Sequence, residues 1–106
     1  MNKKTEPIDK NCLIAAKVFK TLSHPLRLKI LCHLFNGEKA VGNLEELSKG
    51  SQSLVSQCLK RLELEGYVNS RRDGKNVYYF IIDERLVELF KTFEKVFCCP
   101  SKKKLE

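Results

Sequence analysis

The chain of 106 residues has no tryptophan, one methionine, three prolines and two histidines. No apolar run approaches the ~18 residues needed to cross a bilayer, and the charged start MNKKTEPIDK lacks the apolar core of a signal peptide. The expectation is a soluble cytoplasmic protein with no membrane partner. No Cys-x-x-Cys pair occurs, and His24 and His33 stand apart from any ligand spacing, which argues against a structural zinc finger. Without that motif or a βαβ frame a small redox enzyme is disfavoured, so no catalytic residue, metal or cofactor is assigned. Five cysteines are present nonetheless: Cys12, Cys32, Cys58, Cys98 and Cys99. Their odd number, with no leader, argues against a secreted disulfide scaffold. Acidic side chains are comparatively few. Against 20 Lys+Arg stand 13 Asp+Glu, and the resulting +7 favours polyanionic partners, with nucleic acid ahead of an anionic membrane surface.

The length and the 42% hydrophobic content fit one globular domain. Residues 1–7 read as a flexible lead, 8–99 as the folded domain, and 100–106 as a disordered basic tail whose final Leu-Glu is taken as a cloning scar. A first helix is expected from Ile8 to Leu22, on the spacing of Ile8, Leu13, Ala15, Ala16, Phe19 and Leu22. The triplet SHP then punctuates the chain, with Ser23 as helix cap and Pro25 in the first turn of LRLKILCHLF. Asn36-Gly37 ends that second helix. A short third helix, NLEELS, carries Asn43 and Glu46 in capping-box spacing and stops near Gly50.

Ser51 opens a fourth helix, SQSLVSQCLKRLELEG, closed by Gly66. Leu54, Val55, Cys58, Leu59 and Leu62 share one face of it, while Gln52, Ser53, Ser56, Gln57, Lys60 and Arg61 share the other. YVNSRR and VYYFII, joined by DGKN, form a hairpin signal. A last helix, capped by Asp83 and stopped by Pro100, carries the stripe Leu86, Leu89, Phe90, Phe93, Val96 and Phe97. The expected class is mainly α with a small β-hairpin, in the order α-α-α-α-β-β-α.

Two helices joined by a tight polar turn, followed by a basic hairpin, form a winged helix-turn-helix. Ser51, Gln52, Ser53, Ser56, Gln57, Lys60 and Arg61 are candidates for base edges and phosphates in a major groove. Arg71, Arg72 and Lys75 on the hairpin are candidates for phosphates or a narrow minor groove. The plainer alternatives are a solvated helix face, a hairpin charged only for solubility, or a winged module that pairs proteins. The agreement of turn, helix and basic wing favours duplex DNA.

SHPLRLKIL, SQSLVSQCLKRLELEGYV and RRDGKNVYYF together resemble the ArsR/SmtB family of winged-helix repressors over roughly residues 10–98. The resemblance implies a homodimer that binds operator DNA and releases it on meeting an inducer, with the first and last helices packed across a two-fold axis. The dimer residues would be Phe19, Leu86, Leu89, Phe90, Phe93 and Phe97. Arsenic-sensing members carry two cysteines where this chain has Ala40 and Gly42, and zinc-sensing members use histidines that the last helix lacks. Cys58 stands where many relatives carry histidine, and its place on the apolar face reads as a small buried hydrophobe. Cys32 and Cys98, with Cys99 as alternate partner, are similar to the cysteine pair of the reactive-sulfur-sensing BigR and SqrR branch. The implied inducer is a small persulfide or polysulfide. A soft metal held by thiolates, or a general oxidant, is the alternative.

Overall fold

The computed structural model describes residues 2–97, with side chains from residue 8 onward; Cys98, Cys99 and the 100–106 tail lie outside the described residues. The order is α1 Asn2–Leu22, α2 Pro25–Phe35, β1 Lys39–Ala40, α3 Val41–Ser48, α4 Gln52–Leu64, β2 Val68–Asp73, β3 Asn76–Ile81 and α5 Glu84–Phe97. The helices and hairpin fall in the expected sequence, and their arrangement is a winged helix-turn-helix. Several local details differ.

Helix α1 starts at Asn2 rather than Ile8, so residues 2–7 are helical in backbone rather than a loose lead. Of α1's described side chains, only Val18 and Thr21 are buried, and Ile8, Leu13, Ile14 and Phe19 face outward. The Ser23 hydroxyl closes α1 by donating to the Lys20 carbonyl at 2.8 Å, and so does not cap α2. His24 takes that role, its Nδ1 accepting from the Arg27 N–H at 3.5 Å, with Pro25 next in the first turn. An imidazole nitrogen can accept at that position as a serine oxygen does.

The expected capping box of α3 is not used. The two-residue strand β1 pairs with β3 through Lys39↔Tyr79 and Ala40↔Tyr78, and this pairing runs straight into the helix at Val41. Asn43 is therefore already inside α3, with Ala40 as its cap residue and no side-chain bond. Sheet pairing at long sequence separation outweighed the local signal. At the other end Lys49, not Gly50, adopts the left-handed conformation, with φ 58°. Gly50 sits in a tight place instead, where a Cβ would lie 3.0 Å from both a Leu26 methyl and a Val55 methyl.

The sheet order is β1-β3-β2, and β2 and β3 pair in antiparallel register from Val68↔Ile81 to Asp73↔Asn76. That register leaves Gly74-Lys75 as a two-residue turn, for which Gly74 supplies φ 65°. The core gathers Ile30, Leu31 and Leu34 of α2, Leu44 of α3, Val55, Leu59 and Leu62 of α4, and Leu86 and Phe90 of α5. Each such side chain contributes about 1.5–3 kcal/mol by leaving water. The Phe90 ring sits 5.9 Å from that of Phe35 and 5.7 Å, edge-on, from that of Phe93. Leu86 and Phe90, expected at a subunit interface, are only 1% exposed and belong to the protomer core. The α5 stripe surfaces further along, at the half-buried Leu89 and Phe93 and at the exposed Val96 and Phe97.

Candidate nucleic-acid interface and thiol positions

Helix α4 begins with the Ser51 hydroxyl accepting from the Leu54 N–H at 3.2 Å, which fixes its first turn. Burial of Val55, Leu59 and Leu62 turns the opposite face outward. Ser51, Gln52, Ser53, Gln57, Lys60 and Arg61 are exposed there, and Ser56 is half-buried. Leu54 was expected with the core but is 51% exposed. It lines a cleft of about 470 Å³ with His24, Pro25, Leu26, Arg27, Gln57, Cys58 and Arg61. The methyl-rich position thus lies among the polar groups of the outward face, where an apolar contact with a thymine methyl would also fit. Arg61 is not fully free, because its Nε donates to Glu65 Oε2 at 2.9 Å.

The wing divides its three cations. Arg72 and Lys75 are exposed and make no ion pair among the described residues. Arg71 is held instead in a two-pronged pair with Glu38, its guanidinium 4.7 Å from the centre of the Tyr78 ring. The Glu38 partner raises the Arg71 pKa, and the hydrogen bond from Arg71 holds the Glu38 carboxyl below its usual value. Sequence reasoning grouped Arg71 with the phosphate contacts because the partner is 33 positions away, beyond any local pattern.

Of the proposed thiol pair, Cys32 is half-buried in the middle of α2 and packs against the core. Its carbonyl accepts from the Asn36 amide at 3.3 Å. Cys98 and Cys99 lie outside the described residues. Cys58 is half-buried on α4, and burial pushes its thiol pKa up despite the nearby Arg27 charge, as suits a packing residue. Cys12 is exposed on α1. Among the described residues no three His, Cys, Asp or Glu side chains converge as metal ligands would, and no helix is long and apolar enough to cross a membrane.

Comparison with known proteins agrees with this architecture. Residues 24–70, spanning α2 to the start of β2, match the model of "Bacterial regulatory protein, arsR family". The chain is 35% identical over 97 residues to a biofilm growth-associated repressor of Xylella fastidiosa, covering 92% of this chain and 85% of that protein. The crystal structure of the transcriptional repressor BigR from Xylella fastidiosa superposes with a TM-score of 0.81 at 35% identity, covering 89% of this chain and 96% of that one. A solution structure of the homodimeric winged helix-turn-helix domain Mb0332 from Mycobacterium bovis gives 0.68 at 31% identity, over 91% and 85%. With its fold, its outward polar helix and its basic wing, the chain belongs to the arsR family of bacterial transcriptional regulators.

Proposed function

We propose that the protein is a homodimeric repressor in the cytoplasm that binds operator DNA through α4 and the wing, and releases it when a pair of cysteine thiols reacts with a persulfide or polysulfide. The observation that carries the DNA reading is a basic hairpin whose strand β2 packs beside α4, a helix whose outward face is polar and cationic. Gln52, Ser53, Ser56 and Gln57 would meet base edges, with Lys60, Arg61, Arg72 and Lys75 on phosphates. The repressor names of two relatives support the direction of regulation.

The dimer reading rests on exposed apolar side chains that one protomer leaves uncovered. Phe19 of α1 is 60% exposed and Phe97 of α5 is 67% exposed, with Leu13, Ile14 and Val96 nearby in sequence. Burying such groups against a second copy is the economical way to remove them from water. The homodimeric relative supports the same assembly.

For the switch, Cys32 sits on the helix whose Phe35 already meets Phe90 of α5, and Cys98 follows directly in sequence on Phe97, the last described residue of α5. A thiolate takes the outer sulfur of a persulfide and releases the parent thiol. The second thiolate then displaces hydrosulfide to close a disulfide, and repeated transfer leaves extra sulfur in the bridge. A bridge from α2 to the end of α5 would favour one arrangement of the dimer over another, and full switching needs several kcal/mol of such bias. The test is peptide mass analysis of the reduced protein after exposure to a persulfide donor, to peroxide, or to a soft metal. A Cys32-to-Cys98 or Cys32-to-Cys99 link with added sulfur, formed only by the persulfide, supports the reading. A plain disulfide with every oxidant makes it a general redox switch. A thiolate-to-metal absorption band with no link makes it a soft-metal sensor.

A further inference from the structure

The end of α4 faces a second cleft, of about 390 Å³, lined by Lys17, Lys20 and Thr21 of α1, Arg27 of α2, Arg61 and Glu65 of α4, and Tyr67. Four cations and one carboxylate converge there. Both oxygens of that carboxylate are taken, since Thr21 donates to Oε1 at 3.2 Å and Arg61 to Oε2 at 2.9 Å. Lys17, Lys20 and Arg27 have no ion pair among the described residues. Arg27 adds a second sign of an unmet partner. Its Nε is shut away from solvent with no hydrogen-bond acceptor among the described residues. Lys17, Lys20 and Arg27 gather around a concave surface whose one carboxylate is already held by Arg61 and Thr21, so their charges repel one another, and an anion seated among them relieves that repulsion.

We propose that this cleft is an oxyanion site that takes a phosphate group, with Lys17, Lys20 and Arg27 as the binding cations and Glu65 as the anchor that positions Arg61. Guanidinium and ammonium groups suit phosphate oxygens, and the Thr21 hydroxyl can turn to offer or accept a further bond. Two sources supply that chemistry: the backbone of bound DNA, or a phosphorylated small molecule. The first is favoured, because Arg27 and Arg61 also line the neighbouring cleft beside Leu54 and Gln57 on the outward face of α4. The two clefts share those two arginines as walls. In that form the inference rests on the DNA reading above and extends the contact surface from α4 to α1 and α2.

The test compares the full chain with a Lys17→Ala/Lys20→Ala variant, both changes being at exposed positions. Affinity for a random-sequence duplex is followed between about 50 and 200 mM salt, where each phosphate contact contributes roughly 0.9 to the logarithmic slope. Thermal midpoints are recorded with and without pyrophosphate. A slope flatter by about 2 in the variant places DNA phosphates in the cleft. An unchanged slope, with a pyrophosphate-induced rise in midpoint that the variant loses, assigns the site to a small phosphorylated ligand. Unchanged slope and no pyrophosphate effect on either protein overturn the site. If the unaltered chain itself shows no salt-dependent duplex binding, the DNA reading fails, and the pyrophosphate arm alone then decides the cleft.

Discussion

Replacing Phe90 by alanine separates the protomer core from the subunit interface. Phe90 is 1% exposed and its ring is in contact with Phe35 and Phe93. Phe-to-Ala changes in cores cost about 3–5 kcal/mol, and each of the two ring pairs carries about 0.5–1.5 kcal/mol within that loss. A domain of this size has about 5–15 kcal/mol in total, so the variant should fold with much of its margin gone. Urea unfolding at several protein concentrations, alongside Phe97→Ala, is the assay. Phe90→Ala should lower the midpoint at every concentration by an amount equivalent to about 4 kcal/mol. Phe97→Ala, at a position 67% exposed, should act mainly by weakening self-association, with its effect largest in dilute protein. If Phe90→Ala cost under about 1 kcal/mol in unfolding while abolishing the dimer, the core assignment would be wrong and Phe90 would face the second subunit.

Further outcomes are expected elsewhere. Arg72→Ala should flatten the salt dependence of DNA binding by roughly 1, whereas Arg71→Ala should change it less, because Glu38 already holds that guanidinium; equal slopes for the two variants would refute the distinction. Gly50→Ala should destabilise by about 1–3 kcal/mol in denaturant titration, since the new methyl meets Leu26 and Val55 at 3.0 Å. His33 has its pKa lowered by burial first and by Lys39 and Lys29 after that. The native state therefore resists its protonation. Stability should be intact above the ordinary histidine value of about 6.5 and should fall as the pH drops through the lower native value. His33→Gln should remove that part of the acid sensitivity, as read from urea midpoints at neutral and mildly acidic pH.

Residues that signal through near neighbours were legible in the sequence. Pro25, Ser51, Gly66 and the Gly74 turn each act within a few positions, and they marked the two main helices and the hairpin correctly. The α4 face was legible because helical periodicity separates Val55, Leu59 and Leu62 from Gln52, Gln57 and Lys60. What escaped depends on partners far along the chain. Asn43 offered a capping signal, yet β1 paired with β3 some 38 positions away and moved the helix start ahead of it. Arg71 looked like any wing cation until Glu38 was placed beside it. Lys17 and Lys20 lie on α1, Arg27 on α2 and Arg61 on α4, and no spacing in the sequence joins the three helices at one cleft.

The two-residue strand β1 also sets the cost of engaging DNA. Because Lys39 and Ala40 are bonded into the sheet and Val41 begins α3 at once, the hairpin and the helix-turn-helix share one short strut. The Glu38–Arg71 clamp braces that strut against the root of the wing. Reader helix and wing therefore have their separation set when the chain folds, and little ordering entropy is left to lose when a duplex arrives. If α4 and the wing read DNA as proposed, the operator must match a span already built.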